Sequence, residues 1–131
     1  MIGIDTNVLL RLWLDDHPAQ SRRIDVLLSE HGRGAGSLLV SDVVLAEAVW
    51  TLGSAYSQSK AQQLKAVRSL LDEAAFAFES RDAVTAALAL CEQSTCGFSD
   101  CLIAAKHAAL GCEFTATFDK RMGKLDGVRL I

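Results

Sequence analysis

The sequence has little proline, few aromatic residues and no long apolar run. It contains one proline and 6% aromatic residues, and its apolar stretches stay well below the roughly 18 residues that a membrane span needs. Asp5 interrupts the first apolar stretch before a signal peptide could form. No repeat or low-complexity tract marks a linker. We therefore expect one soluble, cytoplasmic domain that covers residues 1–131.

Positive charge is not in excess either. Thirteen Lys and Arg stand against sixteen Asp and Glu, which gives a net charge of −3 and a pI near 5.5. A nucleic-acid-binding domain usually carries a high pI or a basic stripe. Any polyanionic partner must therefore meet a local basic patch or a bound cation.

The four cysteines lack the spacing of a metal site or of a disulfide framework. They are Cys91, Cys96, Cys101 and Cys112, all in the last third of the chain and without a C-x-x-C pair. Neither a zinc site nor a secreted disulfide scaffold fits this spacing well. We expect reduced, small apolar residues of the core.

The chain does have ample apolar material in an alternating pattern. Half of the residues are hydrophobic and 22% are charged, which suffices for one core without disulfides. Short apolar runs alternate with longer amphipathic segments, a pattern typical of a parallel sheet with helices on its faces. The predicted strands lie at 2–4, 38–40, 76–78, 114–118 and 128–130. The predicted helices lie at 8–14, 18–30, 43–52, 59–73, 81–93 and 99–110.

Four acidic residues follow predicted strands or begin the helices beside them. They are Asp5, Glu47, Asp100 and Asp119. A helix that runs antiparallel to its strands starts at the carboxyl edge of the sheet, where the ligands of α/β proteins bind. Two helices separate the third and fourth strands, and the placement of Asp100 assumes that the later one runs antiparallel. On that assumption the four carboxylates share one edge.

Each acid also has a purely structural explanation. Asp5 and Asp119 could cap the helix or turn that comes after them, and Asp100 could complement a helix dipole, an effect of about 0.3 to 1 kcal/mol. Glu47 interrupts the apolar segment 43–50, where a carboxylate near the core costs several kcal/mol unless it is paired. No Lys or Arg lies within one helical turn of it. A shared hard cation would relieve the repulsion, and oxygen ligands favour Mg²⁺ or Mn²⁺ over zinc.

Four short motifs resemble the acidic motifs of PIN-domain ribonucleases, in the same order. They are Ile4-Asp5-Thr6-Asn7, Leu45-Ala46-Glu47, Phe98-Ser99-Asp100-Cys101-Leu102-Ile103-Ala104-Ala105 and Thr117-Phe118-Asp119. The resemblance covers nearly the whole chain, and its size and single-domain form are most similar to the VapC toxins of bacterial toxin–antitoxin pairs. The chain departs mildly at Ser99 and Cys101, because a small residue such as Ala more often flanks the acid.

The resemblance implies a three-layer α/β/α sandwich with a central parallel sheet. It also implies Mg²⁺- or Mn²⁺-dependent hydrolysis of RNA, commonly of a structured RNA such as a tRNA, with 5′-phosphate and 3′-hydroxyl products. The catalytic, metal-binding acids would be Asp5, Glu47, Asp100 and Asp119, with Asn7 and Thr117 as polar supports. Metal-activated water would be the nucleophile, so no His, Ser or Cys is needed in that role.

Basic residues near these motifs are candidates for contact with RNA. Arg11 lies on the helix that begins at the Asp5 motif, and Lys120 and Arg121 directly follow Asp119. Phosphates bind where such cations cluster. We therefore expect positive charge around the acidic pocket, although such residues could also be ordinary solvated charges.

The resemblance also implies protein partners, namely a cognate antitoxin and a second copy of the chain in a homodimer. It places antitoxin docking near the helices that carry or precede Trp13, Trp50 and Tyr56. Large aromatic side chains are favoured anchors at interfaces, although both tryptophans could equally belong to the core.

Two phosphate-chemistry classes and one binding class are the alternatives to a nuclease. A strand followed by Asp-Thr-Asn is similar to haloacid-dehalogenase-type phosphatases, which need a second acid at the position of Asn7. A response-regulator receiver needs an adjacent acidic pair near the first strand, so both phosphate-chemistry classes are disfavoured. A catalytically silent domain that binds RNA or protein is the alternative from another class. The presence of all four acids argues against it.

Overall fold

The computed structural model describes residues 1–131 and contains five strands and six α-helices in the predicted order. The strands are Ile2–Gly3 (β1), Leu38–Val40 (β2), Phe76–Phe78 (β3), Thr115–Thr117 (β4) and Val128–Leu130 (β5). The helices are Thr6–Leu14 (α1), Pro18–His31 (α2), Asp42–Ser54 (α3), Lys60–Asp72 (α4), Arg81–Glu92 (α5) and Phe98–Ala109 (α6). The predicted α/β class with parallel strands is confirmed. None of the helices combines the length and apolar character that crossing a membrane requires.

The chain consists of two compact units, Met1–Glu79 and Ser80–Ile131. In the first unit, β1, β2 and β3 form a parallel sheet with β2 in the centre. Leu38 of β2 lies in register with Ile2 on one side and with Phe76 on the other. Because the strands are parallel, the chain leaves all three at the same edge of this sheet, and Asp5 lies at that edge.

Four helices enclose the core of the first unit. α1 packs against α2 and α3, and α3 packs against α4. Their fully buried side chains are aliphatic, and the largest are Leu9, Leu45, Val49, Leu52 and Val67. Burying one such side chain contributes about 1.5 to 3 kcal/mol, so these side chains hold the inward face of each helix against the core.

Polar residues determine where these helices begin. The Ser41 hydroxyl accepts a hydrogen bond from the N–H of Val44 at the start of α3. Ser59 and Gln62 form a reciprocal capping box at the start of α4. Pro18 occupies the first turn of α2, where no N–H is required. These are the positions at which the sequence predicts helix starts.

The second unit is built from α5 and α6, which pack against each other, and from the parallel pair β4 and β5. A short 3₁₀ helix, Met122–Lys124, connects the two strands. Buried Val84, Leu88, Phe98 and Leu102 supply apolar contacts between the helices.

Three of the four cysteines confirm the expectation of a reduced apolar core. Cys91, Cys96 and Cys101 are buried in the second unit, and all four thiols are free. Cys112 departs from it, because it lies in the exposed turn after α6. Burial, followed by the neighbouring Cys91 thiol, raises the pKa of Cys101 to about 12.

Candidate active site

Asp5 lies just beyond β1 and is the N-cap of α1. Its Oδ1 accepts a hydrogen bond from the N–H of Val8 at 3.1 Å. The structural explanation, that Asp5 caps the helix after it, is therefore confirmed. The side chain is exposed, and its second carboxylate oxygen has no protein partner. Asp5 can thus cap the helix through one oxygen and bind a cation through the other.

A cleft of about 400 Å³ is lined by residues of α1 and α2 and by Asp5. Its lining is Asp5, Asn7, Val8, Arg11, Gln20, Arg23, Ile24 and Leu27. Arg11 is held in place, since its Nη2 donates to the Tyr56 hydroxyl at 2.9 Å and its Nη1 pairs with Asp16. The hydrogen bond to Tyr56 raises the pKa of Arg11. The predicted residues Asn7 and Arg11 therefore lie beside Asp5.

Glu47 requires a correction to the sequence-based expectation. It is exposed, so the claim that it lies near the core and must be paired is wrong. The inward face of α3 is formed by Leu45, Ala48, Val49 and Leu52. Glu47 projects from the opposite face with Val43 and Trp50, which are 75% and 66% exposed. Its carboxylate is available for binding, but burial does not compel it to bind a cation.

Asp119 follows β4 in the second unit and organises the turn after it. Its Oδ1 accepts hydrogen bonds from the N–H groups of Arg121 at 2.8 Å and Met122 at 3.2 Å. Its own N–H donates to the Thr117 hydroxyl at 3.0 Å. The carboxylate thus has a capping role, and Thr117 holds the backbone that presents it.

Asp100 and Asp119 are brought together within the second unit. Asp100 lies half-buried in the first turn of α6. Burial, and then the charge of Asp119, raises the pKa of the Asp100 carboxyl. Two carboxylates that repel each other in a partly desolvated position are a characteristic of functional sites.

The donor set fits a hard divalent cation. No group of three or more His, Cys, Asp or Glu side chains in the structure lies close enough to hold a metal ion. Mg²⁺ does not require such a cage, because it keeps several waters and is usually bound by one or two carboxylates together with substrate phosphates. The neighbouring carboxylates of Asp100 and Asp119 match that requirement in number and in chemistry.

The structure also identifies residues that sequence reasoning did not assign to the site. Gln20 and Arg23 line the cleft beside Asp5, and Tyr56 fixes Arg11 from 45 positions along the chain. Four lining residues of α2 have the i, i+3, i+4, i+7 spacing of one helical face, namely Gln20, Arg23, Ile24 and Leu27. The sequence alone therefore contains the signal that they share a face. No sequence signal pairs Tyr56 with Arg11. Lys120 and Arg121 are exposed beside Asp119.

The comparison with protein families agrees with this layout. The model of the PIN domain family matches residues 2–128. The chain therefore belongs to the PIN domain family, whose members are mostly metal-dependent nucleases. No curated protein matches the chain.

Proposed function

We propose that this chain is a metal-dependent endoribonuclease, in which Asp5, Glu47, Asp100 and Asp119 bind Mg²⁺ or Mn²⁺. The observation that carries the proposal is the half-buried Asp100 carboxyl beside Asp119, with its pKa raised by burial and by the second carboxylate. A divalent cation relieves that repulsion and gives the two carboxylates a common ligand. Membership of the PIN domain family supports the same chemistry.

Several of the predicted residues have a physical task in this reaction. When bound, the metal lowers the pKa of water and offsets charge on the phosphate oxygens. Asp100 and Asp119 would hold the ion, and Thr117 fixes the backbone of Asp119. Lys120 and Arg121 are exposed next to Asp119 and can contact phosphates of the RNA backbone. Arg11 is fixed beside Asp5 and can do the same there.

No side-chain nucleophile is needed, and the buried thiols are unsuited to that role. The pKa of Cys101, raised by burial to about 12, keeps it protonated at neutral pH. In the proposed hydrolysis water attacks phosphorus and the P–O3′ bond breaks, which leaves a 5′-phosphate and a 3′-hydroxyl, the products that the motif similarity implies.

Phe118 offers a surface for a base of the substrate. It lies between Thr117 and Asp119 and is 83% exposed, which is unusual for a large apolar side chain. Bases of single-stranded RNA stack on such rings and on neighbouring cations. Phe118, Lys120 and Arg121 together provide stacking and charge next to a candidate catalytic acid.

The finer part of the proposal is that the chain acts as the toxin of a toxin–antitoxin pair in the cytoplasm, with an RNA such as a tRNA as substrate. Its support is the motif similarity together with exposed apolar side chains on α3. Val43 and Trp50 are exposed on one face, and exposed aromatic residues of this kind anchor partner proteins. An Arg of the antitoxin could bind the acidic site and silence it.

We also propose that the chain forms a homodimer, which is tested by measuring its mass in solution. Light scattering at micromolar concentration should give twice the mass of 14.1 kDa that one chain has. A monomer at that concentration contradicts the dimer and leaves the nuclease proposal standing. Co-expression of the small protein encoded next to the chain should suppress RNA cleavage if that protein is the antitoxin.

The proposed activity is tested by incubating the purified, partner-free chain with total RNA and Mn²⁺, Mg²⁺ or EDTA. We expect cleavage with either metal, none with EDTA, and none in a folded Asp119→Asn variant. Asp126→Asn is the matched control, since Asp126 is exposed and outside the motifs. Sequencing of the new 5′ ends identifies the RNA and the cleavage position. RNA binding without metal-dependent cleavage would instead establish the silent binding domain.

A further inference from the structure

We propose that the cleft between α1 and α2 binds one nucleotide of single-stranded RNA, with its phosphate on Arg23 and its base against the apolar floor. This inference rests on the proposed function, because it makes the cleft part of the path of the substrate to Asp5. It extends the RNA contact beyond the basic residues that follow the acidic motifs.

The charges in the cleft favour a phosphate. Arg23 lines it from α2 and has no hydrogen bond or ion pair with the protein, so its guanidinium is free to bind a ligand. Arg11 faces the same cleft, but Asp16 and Tyr56 already hold its two terminal nitrogens. An arginine binds two phosphate oxygens at once in a fixed geometry. Arg23 is thus the arginine of the cleft that can bind a phosphate without first breaking a contact with the protein.

The remaining lining suits a base and a ribose. Val8, Ile24 and Leu27 provide an apolar floor, and the side chains of Asn7 and Gln20 provide amide donors and acceptors at its edge. A cleft of about 400 Å³ lies within the range of small-ligand sites, roughly 300 to 1,000 Å³. This combination of an apolar floor, amide groups and a cation is what an unstacked nucleotide requires.

An acidic peptide is the competing occupant, and it fits less well. A carboxylate would use Arg23 but would leave the apolar floor and the two amides without partners. Asp5 also lines the cleft, and its charge repels a peptide rich in acidic side chains. A phosphate meets the same repulsion, which a divalent cation held by Asp5 would offset for RNA.

The chain supplies a matched control for the test. Arg22 and Arg23 are adjacent, exposed residues of α2, and only Arg23 lines the cleft. Replacing either removes one positive charge from the same helix. Long-range electrostatic attraction therefore changes equally in the two variants, whereas a direct phosphate contact is lost in one of them.

The experiment measures the binding of a fluorescently labelled, mixed-sequence RNA octamer to the inactive Asp119→Asn protein by anisotropy, over a range of salt concentrations. We expect Arg23→Ala to weaken binding by about tenfold or more and to reduce the slope of log affinity against log salt by roughly one. Arg22→Ala should weaken binding by less than about twofold. Circular dichroism verifies that each variant is folded.

Equal effects of the two substitutions, or no effect of Arg23→Ala, would overturn the nucleotide site. A labelled acidic peptide that binds the cleft through Arg23 while RNA does not would assign it to a protein partner instead. Failure of the proposed function is a different result, namely wild-type protein that binds RNA through Arg23 but shows no metal-dependent cleavage. If RNA binding does not depend on Arg23 and metal-dependent cleavage is retained, only the nucleotide site in the cleft is rejected. The proposed function then stands.

Discussion

The carboxyl group of Asp100 is half-buried beside Asp119, so that burial and then the charge of Asp119 raise its pKa. Neither carboxylate forms a salt bridge with a cation of the protein, in contrast to Asp16, which pairs with Arg11. The fold therefore maintains two repelling carboxylates at a cost in stability. Proteins tolerate such a cost where function requires it.

The first prediction is that Asp100→Asn stabilises the metal-free protein at neutral pH. Because the folded pKa of Asp100 is raised, the native state loses stability as pH rises through that pKa. The gain should therefore be largest near pH 7 and should disappear below the ordinary pKa of 3.8. Urea denaturation at several pH values measures it. Asp126→Asn is the control without the neighbouring carboxylate, and a gain that is independent of pH would contradict the assigned cause.

The second prediction separates the two roles of Asp5. Asp5→Ala removes the carboxylate that accepts the capping hydrogen bond from the N–H of Val8. It should lower the free energy of unfolding by about 0.5 to 2 kcal/mol. Asp5→Asn keeps a capping oxygen, so its stability should stay close to that of the wild type while cleavage is lost. Denaturation and cleavage assays on both variants provide the test. Equal destabilisation by the two substitutions would show that the cap contributes little.

The third prediction concerns the thiols. Cys112 is exposed, whereas Cys91, Cys96 and Cys101 are buried, and the thiolate is the form that reacts. Native protein should therefore react rapidly with Ellman's reagent at one thiol, and denatured protein at all four. Cys112→Ser is expected to abolish the rapid reaction. If a thiol of that variant still reacts rapidly, one of the cysteines described as buried lies at the surface.

The fourth prediction tests the exposed ring next to Asp119. Phe118→Ala should weaken RNA binding by about 1 to 3 kcal/mol, the usual contribution of one stacked base. Because Phe118 is 83% exposed, the stability of the protein should change by no more than about 0.5 kcal/mol. Phe118→Trp, which keeps an aromatic surface, serves as the control. Unchanged RNA affinity in the alanine variant would exclude a stacking role.

Most of the fold could be predicted from the sequence, since local physics determines it. The apolar periodicity locates the helices, and residues such as Ser41 and Ser59 are caps that act on the next turn. The predicted ends differ from the observed ones by no more than two residues, as for α1, which begins at Thr6 instead of position 8.

The exposure of Glu47 could not be predicted in the same way. Helix α3 is apolar on both faces, with Leu45 buried and Val43 75% exposed, so its periodicity does not tell which face turns inward. The contact of Arg11 with Tyr56 and the raised pKa of Asp100 depend on tertiary packing. The sequence predicts which acids are candidates for the site, whereas the effect of Asp119 on the pKa of Asp100 is visible only in the folded protein.

Metal binding and RNA cleavage in four amide variants decide whether the four acids form one catalytic metal site. Asp5→Asn, Glu47→Gln, Asp100→Asn and Asp119→Asn are each compared with wild type and with Asp126→Asn, using Mn²⁺ titration calorimetry and a cleavage assay. We predict weaker Mn²⁺ binding and loss of cleavage in all four, with both properties intact in the control. Normal Mn²⁺ binding and normal cleavage in Glu47→Gln would contradict a site built from four acids.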